Sequence, residues 1–141
     1  MKKETSKDVE NEINQVIPSF FSITSSKIKL NSKGGKLVIG DDSGSVSIID
    51  TKNFDIISTE KSHDVICASV GFLPNDEYFS GGMDCKFFHY KPKKTLKIDF
   101  SQQLEQKQIV NPPLIHSLAT NSKFIAAGLG NSKCQLIDVS K

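Results

Sequence analysis

Apolar positions along the chain fall into short runs separated by polar turn residues. Lys27-Ile28-Lys29-Leu30 alternates with period two. Lys36-Leu37-Val38-Ile39-Gly40, Val46-Ser47-Ile48-Ile49-Asp50 and Asp55-Ile56-Ile57-Ser58-Thr59 are apolar and rich in β-branched residues. Between these runs lie Asn31-Ser32-Lys33-Gly34-Gly35, Asp41-Asp42-Ser43-Gly44 and a loop containing Asn53. Runs this short, bounded by Gly, Asn, Asp and Ser, predict strands, because β-branched side chains suit a pleated surface and a helix needs a longer periodic stretch. The same grammar returns from Ser62-His63-Asp64 onward. There Val65 to Phe72, Tyr78 to Gly82, Lys86 to Tyr90 and Thr95 to Asp99 read as strands, with turns at Pro74-Asn75-Asp76 and Met83-Asp84. A third copy reads as Leu114 to Ala119, Phe124 to Gly128 and Cys134 to Asp138.

Corresponding strand ends fall at Asp50, Lys91 and Asp138, spacings of 41 and 47 residues. Four strands repeating at about 40–45 residues is the mark of propeller blades. The expected fold is therefore all-β, with about three four-stranded antiparallel blades of a β-propeller forming an incomplete ring. Residues 1–25 are expected to be an N-terminal extension, partly disordered, and residues 26–141 the partial propeller, with blades at about 26–60, 61–100 and 114–141. The polar stretch from Ser101 to Pro113, with Gln102, Gln103 and Gln106 and a closing Asn111-Pro112-Pro113, reads as an insertion between blades. Ile17-Pro18-Ser19-Phe20-Phe21-Ser22-Ile23 belongs to none of the units. Lys141 follows closely on the third copy's last strand, so that blade is expected to lack an outer strand. Propeller rings close with about 4–8 blades, and Val38, Ile48, Phe79, Phe87 and Ile125 are expected between blades or beside open faces. Remaining blades, or self-association, are expected to cover those faces.

Composition narrows the function. Hydrophobic residues make up 37% and charged residues 24%, a balance that suits a folded chain and leaves no uninterrupted apolar run of about 20 residues for a membrane span. No membrane association is expected. The start of the chain, Met1 to Asp8, is polar and carries acids, unlike a secretory signal, so the expected location is cytoplasmic or nuclear. Cys67, Cys85 and Cys134 form neither a Cys-x-x-Cys pair nor an even set, which argues against zinc or a disulfide framework and for small apolar residues in or beside strands. The formal charge of +2 gives no bulk drive toward phosphate backbones. The basic cluster Lys91, Lys93, Lys94 and Lys97 has no interleaved aromatic side chains on which bases could stack.

The second copy resembles a WD repeat, although the Trp-Asp dipeptide is absent. In that family a histidine between blades, a hydroxyl on the second strand, a turn aspartate and a third-strand tryptophan form a hydrogen-bonded tetrad, and His63, Ser80, Asp84 and Tyr90 stand in the matching places. The resemblance implies that these four are structural, with Tyr90 offering a phenol where the family offers an indole. The other copies carry Ile49-Asp50 and Ile137-Asp138 in place of Trp-Asp, and Ser43 and Asn131 in place of the turn aspartate. From Ile28 to Val139 the chain is also similar to the middle blades of a seven-bladed member of the family, through Asp41-Asp42-Ser43-Gly44, Ile66-Cys67-Ala68-Ser69-Val70 and Asn111-Pro112-Pro113-Leu114-Ile115-His116-Ser117.

Catalytic readings fail on chemistry. Gly40-Asp41-Asp42-Ser43-Gly44 has the look of a nucleophile loop, but a nucleophilic serine needs an oriented base and an oxyanion hole. The available histidines are better explained otherwise: His63 as a tetrad member, His89 as a strand residue among phenylalanines, His116 as a buried or half-buried structural residue. Gly34-Gly35-Lys36 lacks the spacing and the following hydroxyl of a phosphate loop. The pairs Asp41 with Asp42 and Asp76 with Glu77 suit turns better than calcium. No catalytic, cofactor or metal residues are therefore expected.

A non-catalytic scaffold for other proteins is expected, with Asp41, Asp42, Ser43, Asp64, Met83 and Asn131 as candidate interaction-loop residues. The resemblance allows a substrate-receptor-like adaptor for a ubiquitin ligase, although the Trp-Asp-x-Arg docking signature of that group is missing. The competing expectation, a nucleic-acid or chromatin-associated module using Lys91 to Lys97, is disfavoured by the weak net charge.

Overall fold

The computed structural model describes residues 25–103 and 111–140. Eleven strands run in chain order: β1 (Ser25–Leu30), β2 (Lys36–Asp41), β3 (Ser45–Asp50), β4 (Ile56–Lys61), β5 (Cys67–Phe72), β6 (Tyr78–Gly82), β7 (Lys86–Lys91), β8 (Lys94–Asp99), β9 (Ile115–Thr120), β10 (Phe124–Leu129) and β11 (Cys134–Asp138). They form three antiparallel sheets of sequential neighbours, β1-β2-β3-β4, β5-β6-β7-β8 and β9-β10-β11. A 3-10 turn, Phe100–Gln103, follows β8. It opens the stretch read as an insertion; residues 104–110 and residues 1–24 of the N-terminal extension, the segment Ile17 to Ile23 included, lie outside the described residues, while Ser25 already belongs to β1.

The sheets pack face to face, which the period-two alternation of the strands makes possible. On β2 and β3 the register pairs Val38 with Ile48 and Gly40 with Val46. Val38, Val46 and Ile48 pack with Cys67, Val70 and Tyr90 to form the seam between the first and second sheets. The opposite face of the second sheet supplies Phe79 and Phe87, which pack with Leu73, Phe100, Ile115 and Ile125 to form the seam with the third. All five side chains expected between blades are thus buried in one seam or the other. Two cross-links fix the sheets laterally. Asn31 Nδ2 donates to Asp76 Oδ1 at 3.1 Å, joining the β1–β2 and β5–β6 turns, and the Leu118 amide donates to Ser69 Oγ at 3.2 Å.

Tight turns repeat along with the strands. Gly44, Cys85 and Ser132 each stand three residues past the preceding strand in the β2–β3, β6–β7 and β10–β11 turns, with φ of +90°, +65° and +65°. The Gly44 and Ser132 amides donate to the carbonyls three residues earlier, Asp41 and Leu129. This is a type I turn closed by one left-handed residue, a geometry that suits the twist of antiparallel strands. Glycine adopts it without steric cost, whereas cysteine and serine do not.

Several expectations need correction. β5 begins at Cys67, so Val65 and Ile66 belong to the preceding loop and are 45% and 38% exposed. β4 is shifted to Ile56–Lys61. His116 is exposed on β9, and Cys134 is exposed on β11 while Cys67 and Cys85 are buried. These two fall on the third sheet, whose face away from the second sheet leaves Leu136 62% exposed.

Phe87 is 1% exposed at the centre of the second seam. Phe87→Ala should cost about 3–5 kcal/mol, the usual cost of emptying a buried aromatic site. Urea unfolding of the two chains measures it, and a loss under about 1 kcal/mol would show that the seam tolerates the cavity.

Candidate functional site

β4 and β5 are joined by Ser62 to Ile66, a loop that passes over the open ends of β3 and β6. Its anchor is His63, 1% exposed. Nδ1 lies 2.9 Å from Asp84 Oδ1, and Nε2 lies 2.8 Å from Ser80 Oγ. A carboxylate only accepts, so Nδ1 carries the proton of the neutral ring and Nε2 accepts the Ser80 hydroxyl. The Tyr90 phenol lies 3.0 Å from Ser80 Oγ and also meets Ser62 Oγ, so its one proton is shared between these two hydroxyl oxygens. The structure thus joins His63, Ser80, Asp84 and Tyr90 in one network and extends it by Ser62, which sequence reasoning did not single out. Tyr90 sits on β7 opposite Tyr78 on β6, and the two rings stack at 4.4 Å.

Asp84 serves the loop and its own turn together. Oδ1 accepts the Lys86 amide at 3.2 Å, while Oδ2 accepts the Asp64 amide at 3.1 Å. Gly82 makes the approach possible, because a Cβ there would meet His63 Nδ1 at 2.3 Å and Asp84 Oδ1 at 2.6 Å. Phe88 closes the pocket with an edge-on ring 5.1 Å from the imidazole.

The electrostatics follow from burial. Desolvation lowers the His63 pKa from its ordinary 6.5, outweighing the opposing hydrogen bond and charge of Asp84. Burial raises the Tyr90 phenol, against the opposing hydrogen bonds to Ser62 and Ser80. Cys67, beneath the same loop, is pushed by burial up to about 12 and stays a thiol. His63, Ser80 and Tyr90 are all buried, so the network lies away from solvent and holds protons in place.

The six candidate interaction-loop residues divide by how their side chains are used. Asp41 is buried, and its carboxylate accepts the Ser43 amide at 2.9 Å, the Ser43 hydroxyl at 2.6 Å and the Ser45 amide at 3.0 Å. Asn131 Oδ1 likewise accepts the Lys133 amide at 3.2 Å. Asp42 is exposed, and Ser43 and Met83 are half-buried. Asp64 is exposed and pairs with Lys86, whose ammonium holds the carboxyl below its ordinary range. Sequence reasoning missed Val65 and Ile66. Both are held outward, because the Ile66 carbonyl accepts the Met83 amide at 3.0 Å and the Asp64 amide is bound by Asp84. Among the described residues no group of His, Cys, Asp and Glu could hold a metal ion, and no helix is long and apolar enough to cross a membrane.

No family model matches the chain. Solved structures do resemble it. The β-propeller domain of Cps50 (Swd1) from Myceliophteria thermophila superposes with a TM-score of 0.68 at 19% identity, covering 86% of this chain and 37% of that one. The WD40 β-propeller domain of Doa1 gives a TM-score of 0.64 at 15% identity, covering 84% of this chain and 38% of that one. The chain therefore spans less than two-fifths of these solved structures, and its three sheets have the fold of blades in a WD40 β-propeller.

His63→Ala should destabilise the fold by about 1–3 kcal/mol, because Ser80 and Asp84 lose a buried partner. The pH dependence has a definite sign. With the folded pKa lowered, the unfolded chain takes up the proton first, so the stability due to His63 is full above about pH 7 and falls as pH drops through 6.5. Thermal melts between pH 5 and 8 check this. His63→Ala should flatten the profile across that window, and an unchanged slope would refute the assignment of the titration to this ring.

Proposed function

We propose that this chain acts as a non-catalytic protein-interaction scaffold and contacts its partner through the end of the blades where the β2–β3, β6–β7 and β10–β11 turns and the Ser62–Ile66 loop lie. One observation carries the reading: adjacent aliphatic side chains, Val65 and Ile66, stand 45% and 38% exposed on a loop anchored by a buried hydrogen-bond network. A rigid loop that presents apolar side chains loses little entropy on binding and gains their desolvation. Asp42, Asp64 and Lys86 surround the aliphatic pair with charge, the polar rim typical of an interface. Asp41 and Asn131 contribute by shaping their turns, Met83 and Ser43 by side chains that remain partly accessible.

The WD40 fold generally serves as a platform for other proteins, and that supports this reading over an enzyme. The finer likeness of Ile28 to Val139 to WD repeat-containing protein 53 extends it to an adaptor that presents substrates to a ubiquitin ligase. Against that extension stand Ile49-Asp50-Thr51-Lys52, Tyr90-Lys91-Pro92-Lys93 and Ile137-Asp138-Val139-Ser140, all departing from Trp-Asp-x-Arg. The lysines of the β7–β8 hairpin, Lys91, Lys93, Lys94 and Lys97, have no aromatic residue among them in sequence, which gives a nucleic-acid reading little support.

Affinity capture from cell extract, with hydrogen-exchange mapping of the captured partner's footprint, tests the scaffold. Protection is expected at Asp42, Asp64 to Ile66 and Met83, and Val65→Asp combined with Ile66→Asp should weaken capture at least about ten-fold without lowering the melting temperature. A footprint confined to Thr51 to Asn53 and Lys91 to Lys94 would overturn the assignment of the face. The exposed side of the third sheet gives a separate expectation. With Leu136 62% exposed there, the isolated chain should self-associate as its concentration rises, since apolar patches of more than a few hundred Å² are uncommon on monomers. Light scattering would reject this by finding a concentration-independent monomer with little affinity for hydrophobic dyes.

A further inference from the structure

A cleft of about 540 Å³ opens between the outer strand of the first sheet and the outer hairpins of the second. One wall is Ile57, Ser58 and Glu60 of β4; the other is Tyr78, Tyr90, Pro92 and Thr95. Its size suits a few side chains of a ligand.

Among the described residues β4 is an edge strand, with β3 on one side and no strand on the other. Its register slips at Ile57, since Ile48 pairs with Ser58 and Ile49 with Ile56. Such a bulge pushes side chains out of the ordinary alternation, and here Ile57 is 53% exposed at the lip of the cleft. Glu60 lines the same cleft three residues on, exposed and with its carboxylate making no hydrogen bond or ion pair among the described residues. The neighbouring acids are engaged elsewhere: Asp76 accepts from Asn31, and Glu77 pairs with His89 at 2.7 Å. The phenol of Tyr78 is held above its ordinary pKa by burial and by the charge of Glu60, against its hydrogen bond with Ser58, so the ring stays neutral.

Charge orders the cleft along its length. Lys36 and Lys91 lie at the end near the Asn31–Asp76 cross-link, while Glu60 pairs with Val46, four positions along β3 from the partner of Lys36 and so about 13 Å away. An anionic occupant would be drawn to the lysine end and repelled at Glu60. A cationic side chain fits at Glu60, where the carboxylate and the neutral aromatic rings both attract it.

We propose that this cleft docks an extended segment of a partner protein, seating an aliphatic side chain against Ile57 and a basic side chain at Glu60. In an extended segment, residues two apart face the same way, so the motif is an aliphatic and a basic residue separated by one position. The surface is distinct from the turn end, and it shares with the scaffold reading only the need for a protein partner.

A pentapeptide probe separates the two. Acetyl-Thr-Ile-Thr-Arg-Thr-amide, titrated into isotopically labelled full chain and followed by amide NMR shifts, should perturb Ile57, Ser58, Glu60, Tyr78 and Thr95. The counterpart with Glu in place of Arg should bind at least about five-fold more weakly, and Glu60→Gln should remove most of that difference, the size expected of one exposed ion pair. Ile57→Asp should weaken the Arg peptide without changing the melting temperature. Equal binding of both peptides, shifts confined to Val65, Ile66 and Met83, or no shifts at all would each overturn the cleft assignment, and none of these would touch the affinity-capture result.

Discussion

Burying a polar ring between two sheets is the constraint around which the first two blades are arranged. An imidazole that loses water must find a partner for each nitrogen or cost the fold its desolvation. His63 finds Asp84 on a turn and Ser80 on a strand, both from the sheet that follows it in sequence. The first sheet cannot move away from the second without stranding these groups. Apolar packing fills the same seam, but packing alone tolerates sliding, and the network does not. It also fixes the loop that crosses the seam, through Tyr90 to Ser62 below and Asp84 to Asp64 above.

The seams differ in material. Between the first and second sheets the buried side chains are mostly short and branched, Val38, Val46, Ile48 and Val70, with Cys67. Between the second and third they are large, with Phe79, Phe87 and Phe100 against Ile115 and Ile125. His63 stands over the first seam, and there Gly40 lets Cys67 come close: a Cβ would meet the sulfur at 2.5 Å. The loop between β8 and β9 contributes to the second seam by Phe100 alone among its described buried aromatics, its amide held by the Cys85 carbonyl at 2.9 Å.

Much of the architecture was legible because turns announce themselves. Gly44, Asp84 and Asn131 mark hairpins by chemistry that works locally, and the strands between them keep period two. The network was legible through resemblance, since no spacing rule alone says that His63 reaches Ser80. Other features depend on contacts that no local pattern encodes. Val65 and Ile66 continue the β-branched run of β5, and what excludes them from the sheet is a pair of long-range bonds to Asp84 and Met83. Ile57 looks like an ordinary strand residue until the register shows the bulge. Cys134 reads as interior because free cysteine is commonly buried, and His116 because it lies in a strand, but both sit on a sheet with the second seam on one face only. Ser62 joined the network unannounced, as a short polar residue before a histidine in a loop.

The stacked pair formed by Tyr78 and Tyr90 has a spectroscopic consequence. The chain contains no tryptophan and only these two tyrosines. Both rings lie in the seam between the first and second sheets, 4.4 Å apart. Intrinsic ultraviolet emission therefore reports on one seam and is silent about the other, where the aromatic rings are phenylalanines. If the seams part at different temperatures, tyrosine fluorescence and far-ultraviolet dichroism will trace different curves, and the offset between them will measure how far neighbouring blades melt as separate units.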